Sequence, residues 1–138
     1  MPRIELLSWE DARTEASRIR FKVFVEEQGV PREIELDALD AQCVHALAFE
    51  DGRPVGTGRL LPDGHIGRMA VLEEWRGRGI GSGILESLMR KARERGEVEV
   101  LLSAQVHAVP FYKQHGFEAM GEIYEEAGIP HRTMRRPL

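Results

Sequence analysis

The chain has 138 residues, 42% hydrophobic and 30% charged, with a formal net charge of -4 at pH 7. That length and balance predict one globular domain over residues 1–138, the negative charge argues against nucleic acid as the main partner, and no apolar run approaches the ~20 residues of a membrane span. The single cysteine, Cys43, excludes an internal disulfide and a cysteine-rich metal site, and with no signal-peptide pattern the expected location is cytoplasmic.

Arg3 to Leu7 predicts a short strand closed by Ser8, which with Asp11 three residues on makes a helix N-cap pattern. Ala12, Ala16, Ile19 and Val23 then share one face of a helix expected to run to about Val25, stopped by Gly29 and Pro31. The acidic stretch Glu33 to Asp40 reads as a short helix or turn plus loop, equally well a solvated connector. Cys43 to Phe49 is short and apolar on both faces, as in a central strand. Asp51-Gly52 turns the chain, Pro54 to Leu61 returns, Pro62-Asp63-Gly64 turns it again, and His65 to Val71 completes a meander. Beyond a glycine-rich loop, Ile80, Ile84, Leu85, Leu88, Met89 and Ala92 recur at helical spacing, and Gly96 supplies the stop. Val98, Val100, Leu102 and Ala104 mark another strand. Ala108 to His115 is a short helix with Pro110 in its first turn and Gly116 at its end. Phe117 to about Tyr124 and Arg132 to Arg136 are the last strands, with Gly128-Ile129-Pro130 as the turn region between them.

The loop before the main helix is the most informative stretch. Gly77, Gly79 and Gly81 leave backbone N–H groups uncovered where the helix dipole is positive, a cradle for phosphate or pyrophosphate oxygens. The competing explanation is a glycine-rich helix entry that only packs closely on a strand. A dinucleotide fingerprint fails at Ser82 or at Ile84, depending on the starting glycine, and no P-loop lysine is present. Arg76-Gly77-Arg78-Gly79-Ile80-Gly81 does fit R-x-x-G-x-G, and it resembles the pyrophosphate-binding signature of the GNAT (GCN5-related) N-acetyltransferases. A second segment, Gln105 to Phe117, resembles that family's N-x-x-A-x-x-[LF]-Y-x-x-x-G-F pattern at Ala108, Phe111, Tyr112, Gly116 and Phe117, with Gln105 replacing the asparagine. A narrower resemblance, to the YjcF/ElaA-type bacterial subgroup, covers nearly the whole chain. It rests on Val23-Phe24-Val25, Glu27-Gln28, Pro31, Glu35, Asp37, Asp40, His45, Gly128-Ile129-Pro130-His131 and Met134.

The resemblance implies an α+β, α/β/α layered GNAT acyl-CoA N-acyltransferase fold, with a mixed, mostly antiparallel sheet of about six or seven strands flanked by about four helices. It implies an N-acetyltransferase that takes acetyl-CoA as cosubstrate and a primary amine, on a small molecule or a peptide, as acceptor. The amine would attack directly in a ternary complex, and the protein would act as a monomer or homodimer. Cosubstrate contacts are expected from Met69, Ala70 and Val71, whose strand backbone would donate to the oxyanion and pair with the pantetheine arm. Arg76, Gly77, Arg78, Gly79, Ile80, Gly81, Ser82, Gln105, Phe111 and Tyr112 would supply the rest. Tyr112 matches the family's general acid: a phenol with a pKa of about 10 stays protonated at neutral pH. Its alternative role is to pack the last helix on the sheet. Glu27, Glu35, His45, His107, Glu125 and His131 could each accept the amine's proton. Glu27 stands at the first helix exit, where the family often builds its acceptor pocket, and His45 alternates with core residues. A surface carboxylate and a core histidine are the plainer readings of those two, and a solvent chain could also serve. Five histidines without an H-x-x-x-H spacing or a cysteine partner give no case for a metal. Two other functions fit the same pattern: a noncatalytic acyl-CoA-binding module, and a partner-binding domain using residues 33–40.

Overall fold

The computed structural model describes residues 2–35 and 37–138. Its strands are β1 (Arg3–Leu7), β2 (Val44–Glu50), β3 (Arg53–Leu60), β4 (His65–Val71), β5 (Glu99–Gln105), β6 (Glu118–Glu126) and β7 (Ile129–Pro137). Its helices are α1 (Trp9–Arg20), α2 (Arg32–Glu35), α3 (Ile80–Glu94) and α4 (Val109–Gln114). The seven strands form one sheet in the order β1-β2-β3-β4-β5-β7-β6, antiparallel throughout except for β4 beside β5. The layered, mostly antiparallel α+β architecture expected from the sequence is therefore the observed one. Among the described residues no helix is long and apolar enough to cross a membrane.

Helical periodicity fixes which residues enter the core. Ser8 Oγ accepts from the Asp11 N–H at 3.3 Å and starts α1, whose Ala12, Ala16 and Ile19 pack on one face of the sheet with Leu47, Ala70 and Leu72. On the other face α3 buries Ile80, Ile84, Leu85, Leu88, Met89 and Ala92 against Ala46, Ala48, Val55 and Leu102. Strand β2 thus feeds both layers by alternation, as its two apolar faces require. Helix α3 lies close on β3 because Gly58 stands beneath it; a Cβ there would sit 2.8 Å from Ile84 Cγ2. Gly96, at φ +87°, ends α3 and lets the Glu97 N–H return to the Ala92 carbonyl at 3.1 Å.

Two expectations from the sequence are corrected. The first helix does not stop at Val25. It continues as a π-helix over Phe21–Glu27, with the Gln28 N–H bonding back to the Val23 carbonyl. Ile129 and Pro130 belong to β7 rather than to a turn, since they pair with Glu126 and Glu125. Ala127 and Gly128, at φ +53° and +77°, make the hairpin turn alone.

Candidate active site

Strands β4 and β5 pair only at His65–Leu101 and Ile66–Leu102. Opposite β3, the register jumps between Thr57–Ala70 and Arg59–Gly67, so β4 carries one extra residue at Arg68–Met69. That bulge bends β4 away from β5 and holds Arg68 at φ +48°, an unusual conformation for a long side chain. The parted strands open onto a cavity of ≈ 940 Å³. Its walls include Met69, Ala70 and Val71 of β4, Ser103 and Gln105 of β5, Phe24 and Glu27 of the π-helix with the following Gln28, and the glycine-rich loop. The β4 backbone beyond Ile66 therefore has no neighbouring strand on its β5 side, an edge to which an extended amide-bearing chain can add.

At one end of the cavity Gly79, at φ +79°, opens α3 with no side-chain cap. The first intrahelical bond is from the Gly83 N–H to the Gly79 carbonyl, so the N–H groups of Ile80, Gly81 and Ser82 are left for a ligand. Gly77, Gly79, Ile80, Gly81 and Ser82 all line the cavity. The two arginines of the loop differ: Arg76 lines the cavity with its fork engaged by Glu27, and Arg78 does not line it. Arg76 places Nη1 and Nη2 at 2.7 and 2.8 Å from the two oxygens of Glu27, and its Nε donates to the Val71 carbonyl. Arg78 lies over the Trp75 ring, 4.8 Å from its centroid, and is not a cavity wall. Ser82 Oγ is 2.9 Å from His115 Nε2.

Helix α4 brings Phe111 and Tyr112 to the cavity. The Tyr112 hydroxyl points at the β4 bulge, 3.7 Å from Met69 Sδ, while its ring packs edge-on against Phe111 and Phe117. Burial pushes this phenol up to about 12, so it is protonated across the working pH range. Gln105 and Gln28 exchange amide hydrogen bonds of 2.8 and 3.3 Å. With the Arg76–Glu27 pair, this clasps the π-helix end to both parted strands.

The six base candidates are not together. Glu27 lines the cavity, but the Arg76 hydrogen bond holds its carboxyl below the usual carboxylate value despite partial burial. His45 is buried outside the cavity wall, with Nε2 2.9 Å from the Asp40 carbonyl and its ring 4.7 Å from Trp9; burial lowers its proton affinity. His107 and His131 line the cavity, Glu125 does not, and Glu35 lies in a charged wall.

That wall is the part of the site that sequence reasoning missed. The acidic stretch is no solvated connector: Glu35 and Asp40 are buried. Arg20 donates to Glu35 at 2.5 Å and to both oxygens of Asp40 at 2.9 and 3.0 Å. Arg59 donates to Asp40 at 2.8 Å and to Asp37 at 2.7 Å, and Arg68 reaches Asp37 at 3.3 Å. Burial alone would raise Asp40 and Asp37, but these bonds and the Leu39 N–H outweigh it and hold both below the ordinary range. Glu35, Asp37, Arg59 and Arg68 all border the cavity. One signal was available: Arg20 falls four residues after Ala16, on the apolar face of α1, where an arginine needs buried carboxylates.

A family model described as an acetyltransferase (GNAT) domain matches residues 10–138. The chain is 38% identical over 131 residues to the uncharacterized N-acetyltransferase YjcF of Bacillus subtilis, covering 92% of this chain and 94% of that one. An acyl-CoA N-acyltransferase from Pseudomonas aeruginosa superposes with a TM-score of 0.86 at 33% identity, over 99% of both chains. ElaA of Escherichia coli superposes with the same score of 0.86 at 29% identity, again over 99% of both.

Proposed function

Since the chain belongs to the GNAT acetyltransferase family, whose fold binds acyl-CoA, we propose that it transfers an acetyl group from acetyl-CoA to a primary amine by direct attack in a ternary complex. The observation that carries this reading is the convergence of three features on one cavity: an uncapped α3 N-terminus, an unpaired edge of β4, and the Tyr112 hydroxyl beside Met69 of that strand. The N–H groups of Ile80, Gly81 and Ser82 receive the diphosphate. The freed β4 edge aligns the pantetheine arm and turns a backbone N–H within Met69–Val71 toward the thioester oxygen. The amine nitrogen forms its bond to the thioester carbon, the C–S bond breaks, and the sulfur leaves while Tyr112 donates a hydrogen bond to it. Arg76 keeps Glu27 ionised as a weak base and His45 lies outside the cavity, which leaves the cavity-lining His107 and His131, or water, to take the amine's proton.

The test is free-thiol release from acetyl-CoA with a panel of amines, using wild type and Gly81→Asp. Gly81 has no positive φ, and a Cβ there would meet Phe111 at an ordinary 3.5 Å. The variant should therefore fold, while its carboxylate excludes the diphosphate and abolishes both acetyl-CoA binding and thiol release. Undiminished binding by folded Gly81→Asp would refute the placement. Tight acetyl-CoA binding with no thiol release from any amine would make the protein a binding module.

A further inference from the structure

The charged wall is unequally satisfied. Arg20 spends its fork on Glu35 and Asp40, and Arg59 spends both terminal nitrogens on Asp40 and Asp37. Arg68 has five N–H donors, yet its one hydrogen bond among the described residues is the 3.3 Å contact to Asp37. Among the described residues its Nε, like that of Arg59, is buried without a hydrogen-bond partner, and it lies 4.0 Å from Glu35 Oε1. The Asp37 oxygen it touches is held more closely by Arg59, so Arg68 is not needed to neutralise that carboxylate. Arg68 lies on the β4 bulge next to Met69, at a cavity wall, and its side chain is 27% exposed. A residue held in a left-handed conformation with its donors unspent marks a site rather than a strut.

We infer that Arg68 is the anchor for a carboxylate on the acetyl acceptor, so that the acceptor is an amino acid or a related amine carrying a carboxylate. The inference rests on the acetyltransferase reading above and names its substrate class. A carboxylate oxygen can accept from Nη1, the terminal nitrogen of Arg68 that makes no hydrogen bond among the described residues. Asp37 and Glu35 stand close behind Arg68, and their charge favours a monoanion over a phosphate dianion. Burial and the neighbouring Arg59 and Arg20 cations lower the Arg68 pKa, so an incoming anion relieves a cation that Asp37 and Glu35 only partly offset. Gly67, on the other side of Arg68, leaves the cavity wall there without a side chain.

The test pairs a binding arm with a turnover arm. In the first, calorimetry measures binding of N-acetyl amino acids and of the matching N-acetyl carboxamides to the CoA-loaded protein, which requires no catalysis. Wild type should prefer the acids. Arg68→Gln and Arg68→Gly should bind them about ten- to hundredfold more weakly, with carboxamides unaffected. Arg68→Gly suits the positive φ at this position and secures a folded variant should Arg68→Gln unfold. Equal binding of acids and carboxamides by wild type, or a preference for N-acetylated phosphoethanolamine, would overturn the carboxylate anchor. The turnover arm compares thiol release from free amino acids and their carboxamides. Carboxylate-selective binding without any thiol release would keep the anchor and refute the acetyltransferase reading. Thiol release with a loss at Arg68 common to acids and carboxamides would do the reverse.

Discussion

Replacing Tyr112 by phenylalanine removes one oxygen and keeps the ring that packs against Phe111 and Phe117. Among the described residues the only hydrogen bond lost is the 3.7 Å contact to Met69 Sδ, so stability should change by less than about 1 kcal/mol. The catalytic loss follows from the environment of the hydroxyl. With its pKa pushed up to about 12, the phenol holds its proton about three pH units more tightly than an ordinary thiol. Complete transfer to the departing sulfur is therefore uphill, and Tyr112 acts by donating a hydrogen bond to the developing thiolate. Such a charge-assisted bond is worth ~1.5–3 kcal/mol, which corresponds to a roughly ten- to hundredfold fall in rate. The assay is single-turnover acetyl transfer, with protein in excess over acetyl-CoA and one amine acceptor, for wild type and Tyr112→Phe. Because the acid form persists to about 12, wild type should show no alkaline loss assignable to Tyr112 through about pH 10. Equal single-turnover rates would refute the donor role and leave Tyr112 as a packing residue. An alkaline limb near pH 10 that disappears in Tyr112→Phe would refute the burial of the hydroxyl.

Arg20→Met should destabilise the protein by about 3–5 kcal/mol in urea unfolding, because Glu35 and Asp40 stay buried without their main cation. Gly58→Ala should cost ~1–3 kcal/mol in the same measurement, since its Cβ would meet Ile84 at 2.8 Å, Met69 at 3.1 Å and Leu88 at 3.2 Å. Between pH 3 and 8 stability should fall towards the acid end. The folded-state pKa of His45 lies below its ordinary 6.5, so its contribution is present above about pH 6.5 and fades as the unfolded ring takes up a proton. Asp37 and Asp40 are likewise depressed below 3.8, and their contribution is lost as the pH falls below about 4. Thermal unfolding from pH 3 to 8 checks this, and greater stability at the acid end would contradict it. With its fork on Glu27, Arg76 has little to offer a diphosphate. Arg76→Ala should therefore change acetyl-CoA affinity by less than about tenfold in calorimetry at low and high salt.

What the sequence determined by itself is what local physics controls. The apolar spacing of α3 from Ile80 to Ala92, the Ser8 cap and the Gly96 stop each follow from a helix's period or its exposed end groups, and each stands where the pattern requires. The strands of the meander are legible for the same reason, since alternation and turn residues act within a few positions. The glycines that open α3 are legible too, because an uncapped helix start leaves its first N–H groups without intrahelical partners. Tertiary structure decided the rest. Seven π-helical residues extend α1 because Glu27 and Gln28 have distant partners, Arg76 and Gln105, that no local pattern reveals. The pairing of Arg76 with Glu27, 49 residues earlier in the chain, is likewise invisible to any local pattern. The acidic stretch turns from a surface connector into a cavity wall because Arg20, Arg59 and Arg68, 15 to 31 residues away along the chain, converge on it. The β4 bulge that frees Arg68 exists only as a mismatch between two strands, so it has no signature in either one.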